Sequence, residues 1–450
     1  MARAHVMVAF AVAAVCGLAL PLRVQAQEVP APPEDPEDAD GAEGAEDTDG
    51  AEAPEDADGA EDTSEARSPL VPAYLADRMA PKPVVGDQVY FKPASGLVFK
   101  SSDGSYSLTL AVRGQLRYTA SHQDGLGQQS FQIRRARAKF SGNAFSKDLK
   151  YKLELAVAPD DIDIEDGVGP TLSPLLDWYV DIEHFDNLQV RIGQYKVPFS
   201  RERVISSRDL EFVDRSITNG EFTVDRDIGF DIRSDDFLGL GLLRYYAGIY
   251  AGEGRDSYEL DDFDMMYLAR VEVLPFGMFE DYEQADFART LEPRLSIGMG
   301  YAYLAGAPRL EGVTGDVAPD GGETEYHVAN ADAVFMYGGL SATVMGYLRA
   351  GDREPPAGVP ADPVEARNGY GVTGQATYLI PHLPLQVGAR YSAIRGTGAT
   401  SLGSSNELGA VAGWYFVQHA VKLQADYFHL WNEELGQGED RLRVQLEVGL

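Results

Sequence analysis

Cysteine is nearly absent from this 450-residue chain, and the one present, Cys16, lies inside an apolar run over residues 6–20 that follows a short basic start with Arg3. Val24-Gln25-Ala26 then sets small residues at the −3 and −1 positions before Gln27, so residues 1–26 read as a secretory signal peptide. Lipidation at Cys16 is disfavoured, because Val15 fits poorly before a lipidated cysteine and the apolar run continues past it. Without the signal no cysteine remains, which excludes a disulfide scaffold, a thiol nucleophile and a Cys-ligated metal. No other apolar stretch approaches the roughly 20 residues that a transmembrane helix needs. An exported chain of this kind crosses a membrane only with strands.

Basic residues are missing from another region. Residues 28–65 hold seventeen Asp and Glu and no Lys or Arg. With almost nothing apolar to bury, residues 27–67 are expected to be a disordered acidic segment. Its nine-residue repeat contains Asp-x-Asp-Gly at Asp38, Asp47 and Asp56 but lacks the rest of a calcium loop, so it reads as a solvated spacer. Residues 68–88 read as a linker or short helix. The formal charge of −33 leaves about −18 on residues 67–450, once the seventeen acids and the two signal arginines are set aside. A body this acidic is a poor partner for nucleic acid. The six further histidines, His122, His184, His327, His382, His419 and His429, form no pair at metal-ligand spacing. No nucleophile elbow, phosphate-cradling glycine loop or zinc-protease helix occurs. Neither an enzyme nor a cofactor is expected. The acidic clusters Asp160-Asp161-Ile162-Asp163 and Asp261-Asp262-Phe263-Asp264 read as loop tips or loose cation bridges.

What the chain does have, from Val89 onward, is period-two alternation. In the last ten residues Leu442, Val444, Leu446, Val448 and Leu450 share one face, while Arg441, Arg443, Gln445 and Glu447 share the other. Sixteen such strands are read, near 105–120, 130–141, 149–158, 174–184, 187–197, 227–234, 239–250, 265–274, 293–304, 326–337, 340–349, 369–379, 385–395, 407–416, 421–431 and 441–450. Connections after odd-numbered strands are long and polar, as at 159–173 and 198–226; after even-numbered strands most are short, with 275–292 the exception. This asymmetry, with strands of roughly 10 residues, predicts an all-β fold: a 16-stranded antiparallel transmembrane β-barrel over residues 89–450. Sixteen strands enclose an aqueous lumen that side chains alone do not fill. Tyr118, Trp178, Tyr301, Tyr303, Tyr378, Trp414, Tyr427 and Trp431 fall near strand ends, where interfacial aromatic girdles belong.

Several stretches resemble the phosphate-selective porin O and P family of outer-membrane channels. They are residues 95–106, 112–118 and 131–142, the block Val190-Arg-Ile-Gly-Gln-Tyr-Lys-Val-Pro-Phe-Ser-Arg-Glu202, residues 210–216 and residues 408–416. The resemblance implies a trimeric porin of the Gram-negative outer membrane whose third external loop, here 198–226, folds inward. It also implies a pore lined by Arg and Lys that hand small anions such as phosphate between sites. Arg113, Arg134, Arg135, Lys150, Arg203 and Arg208 stand at matching positions; alternation adds Arg117 beside Arg113, Lys152 beside Lys150, and Arg137 with Lys139. Arg215 joins them from loop 198–226. Phe131 and Ile133 are out of phase with this assignment, which predicts a bulge near Arg134.

Loop 198–226 is balanced, with five arginines against six acids, and the fifth external loop, 305–325, carries only Arg309 among its acids. A non-selective or cation-leaning pore, and a non-conducting structural barrel, therefore stay open beside the anion channel. The expected partners are outer-membrane lipid and lipopolysaccharide, small anions, two further copies of the chain, and the barrel-assembly machinery. That machinery usually reads a terminal aromatic, whereas this chain ends in Leu450. An even strand count places the N-terminus in the periplasm.

Overall fold

The computed structural model describes residues 82–83, 89–162, 173–185, 187–256, 264–354, 364–432 and 436–450. The expected signal peptide and acidic segment, nearly all of the linker, and Asp163 and Asp261 to Phe263 lie outside the described residues.

Sixteen long strands follow one another around a closed antiparallel barrel. They are β1 (Ser107–Gln123), β2 (Leu126–Asn143), β3 (Leu149–Ala156) and β4 (Leu175–Phe185). Next come β5 (Leu188–Lys196), β6 (Arg226–Ser234), β7 (Leu243–Tyr250) and β8 (Met266–Val273). The second half holds β9 (Arg294–Ala307), β10 (Glu323–Tyr337), β11 (Leu340–Glu354) and β12 (Gly369–Leu379). The circuit ends with β13 (Leu385–Gly396), β14 (Ser405–Val417), β15 (Val421–Asn432) and β16 (Gln437–Gly449). Each pairs with the next, and β16 pairs back onto β1 from Glu439 opposite Gln123 to Gly449 opposite Arg113, which closes the ring and leaves no edge. Below that closure the free flank of β1 is taken by the short strand Gly96–Lys100, which pairs in turn with Val89–Lys92.

All sixteen expected strands are present, and several run longer than expected. The segment 121–129, expected as a loop, is mostly strand: Asp124 (φ 51°) and Gly125 (φ 80°) join β1 to β2 in a two-residue hairpin turn. Asp-Gly between alternating runs is a strong hairpin signal, and it outweighs the polarity that suggested a loop. Gly338 and Gly339, both at positive φ, turn β10 into β11 in the same way. In the β1–β2 pairing Gln115 faces Arg135 and Leu116 faces Ile133, so Arg134 is the extra residue of a bulge, as the phase break predicted.

The alternation sorts the two faces. Val112, Leu116, Trp178, Ile192, Phe230, Tyr378 and Trp414 are exposed on the outside, where lipid lies in a membrane barrel, whereas Gln115, Arg117, Asp231, Arg270 and Gln424 are buried within. The inner wall is not uniformly polar. Met266, Leu268, Leu304, Tyr326, Val328 and Tyr347 form an apolar cluster with Val197, Phe199, Phe222 and Val224. Those last four are the two stems of the connection 197–225, which leaves β5 and turns into the barrel. Burial of each large side chain there is worth about 1.5–3 kcal/mol, so the loop docks as a small core of its own.

Two connections fill much of the lumen. The first, 197–225, carries the short helices α1 (Arg201–Val204) and α2 (Ile217–Phe222), the latter N-capped by Ser216, whose hydroxyl accepts from Asn219 N. The second, 274–293, enters from the short-turn end. Its Gly338 and Gly339 contacts, and that of Arg289 to Ile380 O at 2.5 Å, stretch it beneath β10 to β13.

Candidate permeation pathway

Open space remains along β1 to β6. Toward the short-turn end lies a cavity of about 290 Å³ between the inner face of β1 to β6 and residues 204–209 of the inward loop. Toward the long-loop end lies one of about 580 Å³, reached by Arg309 and by residues 313–315 of the connection after β9. Arg137, Lys196 and Arg226 line both, so the two chambers, inner at the short-turn end and outer at the long-loop end, meet at these three side chains. Together the chambers are lined by fourteen Arg and Lys and by seven Asp and Glu. Basic charge thus concentrates along this passage although the chain as a whole is strongly acidic.

Most of these cations already have partners. Arg137 grips Asp161, Nε at 3.0 Å from Oδ2. Lys152 lies 2.5 Å from Asp177 and 2.9 Å from Glu154, and Arg226 meets the other oxygen of Asp177 at 2.6 Å. Arg134 meets the Asp160 carboxylate at 2.9 Å, Arg208 meets Asp209 at 2.9 Å, and Arg203 pairs with Asp225. Arg191 binds Asp181 through two bonds of 2.6 and 2.7 Å while its guanidinium sits 3.9 Å over the Tyr179 ring. Such pairs hold the wall in shape, and their charges largely cancel.

Four lining cations are different. Lys196 Nζ donates only to the backbone oxygens of Val204 (3.3 Å) and Ile205 (3.1 Å). Arg215 donates to the backbone oxygens of Glu202 (2.9 Å) and Ile205 (2.6 Å), and Arg309 to Gly315 O at 3.0 Å. Lys139, in the inner chamber, has no carboxylate within ion-pairing distance among the described residues, and neither do the other three. From the outer chamber through the junction to the inner chamber, Arg309 and Arg215, Lys196, and Lys139 are thus basic groups that form no ion pair with a described carboxylate.

The family model for phosphate-selective porin O and P matches residues 109–446. This chain belongs to that family. The porin is accordingly a channel of the Gram-negative outer membrane for small hydrophilic solutes, and its long-loop end faces outward. No curated protein sequence matches it. Among solved structures, OmpF of Salmonella typhi in complex with daunomycin is similar over 78% of this chain and 100% of its own, at 13% identity and a TM-score of 0.53. An anion-selective porin from Comamonas acidovorans is similar over 77% and 100%, at 12% identity and a TM-score of 0.52. At such identities the likeness speaks to the fold alone.

Of the residues expected from the sequence, Arg113, Arg134, Arg135, Arg137, Lys152, Arg203, Arg208 and Arg215 line the two chambers. Two do not. Arg117 faces inward but is locked behind the loop, bonded to Asp214 at 2.9 Å and to Val213 O at 3.1 Å. It is an anchor of the loop rather than a lining group. Lys150 shares a face with Lys152, yet it sits near the short-turn rim, half exposed and paired with Glu183. Alternation gives the face but not the depth. Sequence reasoning missed Lys196, Arg191, Arg226 and Arg255 as lining residues. Arg191 and Lys196 were visible in the most specific family block, but Gly193 sits at φ 136° and breaks the alternation that would have assigned Lys196.

Proposed function

We propose that this porin passes small anions, phosphate among them, in preference to cations, and that Arg309, Arg215, Lys196 and Lys139 carry the preference. The observation behind this reading is that these four form no ion pair with a described carboxylate, along a passage whose other cations are tied. A permeating ion exchanges part of its hydration shell for such groups and passes from one to the next. Guanidinium groups in the outer chamber suit the paired oxygens of phosphate or carboxylate, whereas the lysines act as point charges at the junction and inside.

The net charge of the body favours the rival reading, a cation-leaning pore. Charges more than about 8 Å away are largely screened at physiological salt, however, so the local lining outweighs the remote acids. Two further copies of the chain, lipopolysaccharide around the rim and the assembly machinery at the C-terminal strand complete this proposed setting.

Reversal potential in a planar bilayer under a tenfold potassium chloride gradient tests the proposal. Anion sign, with current reduced by millimolar phosphate, is the expected result. Cation sign would overturn it, and absence of conductance would make the chain a structural barrel.

A further inference from the structure

The second inward connection has a role that the anion preference does not require. Loop 274–293 and the inward loop 197–225 meet directly: Gln284 N donates to Asp209 O at 3.1 Å, and Glu211 N donates to the Gln284 side chain at 2.8 Å. His419 Nε2 donates to Gln284 O at 2.5 Å from the turn between β14 and β15. Burial, aided by Lys422, pushes His419 down to about 3, so its neutral ring leaves Nδ1 free to accept from Lys422 at 3.0 Å.

Beside this contact lies a buried charge cluster. Arg201 of the inward loop reaches Asp281 (2.5 Å), Glu272 on β8 (3.3 Å) and Asp332 on β10 (2.7 Å). Arg270 adds bonds to Glu272 and Asp332, and Arg244 adds bonds to Glu272 and Asp281. Three guanidinium groups face three carboxylates, so the cluster is electroneutral. It is also nearly dry: Arg201, Arg270 and Glu272 are each 1% exposed or less. A cavity between the two loops and β10 to β11 measures about 10 Å³, room for one water at most.

We infer that loop 274–293 is a permanent stopper, which with the inward loop seals the lumen along β8 to β15 and confines permeation to the passage along β1 to β6. Buried, mutually paired ions of this kind do not open at low cost, because separating either partner strands a charge in a medium of low dielectric. This cluster adds no net charge, so the stopper leaves the sign of the permeant ion to the open passage. The stopper thereby acts as a specificity-determining element without touching a solute. This holds whichever sign the reversal potential takes.

Cysteine accessibility tests it in the full chain. Ser206→Cys places a thiol in the open passage, and Thr343→Cys places one on the sealed side. With 2-sulfonatoethyl methanethiosulfonate, Ser206→Cys should lose at least half of its current within minutes, while Thr343→Cys should keep its current. Equal loss in both overturns the inference. Replacing residues 276–290 by a short Gly-Ser turn should at least double single-channel conductance and bring the anion-to-cation ratio nearer to one. Unchanged conductance in a barrel that still shifts on heating also overturns it, and if that variant does not fold, the cysteine pair decides alone.

Discussion

At the scale of single residues, the passage distinguishes charges that hold the wall from charges that face the solute. A unit charge 4 Å from an ion is worth about 4 kcal/mol at an effective dielectric near 20 and about 1 kcal/mol in open water. Lys196→Ala should therefore lower the anion-to-cation permeability ratio roughly five-fold, since 1.4 kcal/mol is a factor of ten and the group is partly solvated. Lys150→Ala should leave the ratio unchanged, because that side chain is paired with Glu183 at the rim. Reversal potentials on both variants check the contrast; equal effects would show that the junction is not where selectivity arises. Arg117→Ala should act differently again. It leaves half-buried Asp214 without its closest guanidinium partner, a loss of about 1–3 kcal/mol for a polar group left poorly satisfied. Its signature is a lower temperature for the heat-induced mobility shift in detergent, with the sign of selectivity retained.

At the scale of elements, the inward loop and the stopper depend on backbone positions as much as on side chains. Gly193 on β5 sits at φ 136°, and a Cβ there would lie 2.1 Å from Trp178 O on the adjacent strand. Gly193→Ala should sharply lower the yield of folded barrel, which outer-membrane fractionation measures. The stopper carries a titratable group where it faces β10 and β11. Partial burial, with Asp209 next to it, raises Glu283 to about 7. Between its ordinary value of 4.5 and 7 the folded protein binds the proton more tightly than the unfolded chain, so this group's contribution to stability falls as pH rises through that window. The temperature of the heat-induced mobility shift should therefore fall as pH rises from 5 to 8. Glu283→Gln should flatten that fall; a fall of the same size would assign the titration to another group.

At the scale of the whole molecule, sixteen strands return the chain to the end from which it started, so β1 begins and β16 ends on the short-turn side. An epitope inserted into the connection 397–404 should therefore be stained on intact cells, and one placed at Gly338-Gly339 should be stained only after permeabilisation. The reverse pattern would invert the orientation and exchange the outer and inner chambers.

Strand number, strand order, the two faces and even the bulge at Arg134 were legible in the sequence, because each follows from a local period of two and from turn residues at fixed places. Arg113, Arg134, Arg135, Arg137 and Lys152 reach the passage from strands, where a face is a local property; Arg203, Arg208 and Arg215 reach it from the inward loop, to which alternation does not extend. Depth and partnership are not local properties. That Arg117 lies behind the inward loop and that Lys196 stands at the junction depend on how loop 197–225 folds into the barrel, and that Lys150 stops at the rim depends on its height along β3, neither of which a period of two records. The sealing of one half by loop 274–293 likewise joins Arg201 to Glu272, Asp281 and Asp332, which lie 71, 80 and 131 residues further along the chain. Alternation along one strand fixes what faces inward; only the closed tertiary structure decides which inward charges neutralise one another and which are left for a passing ion.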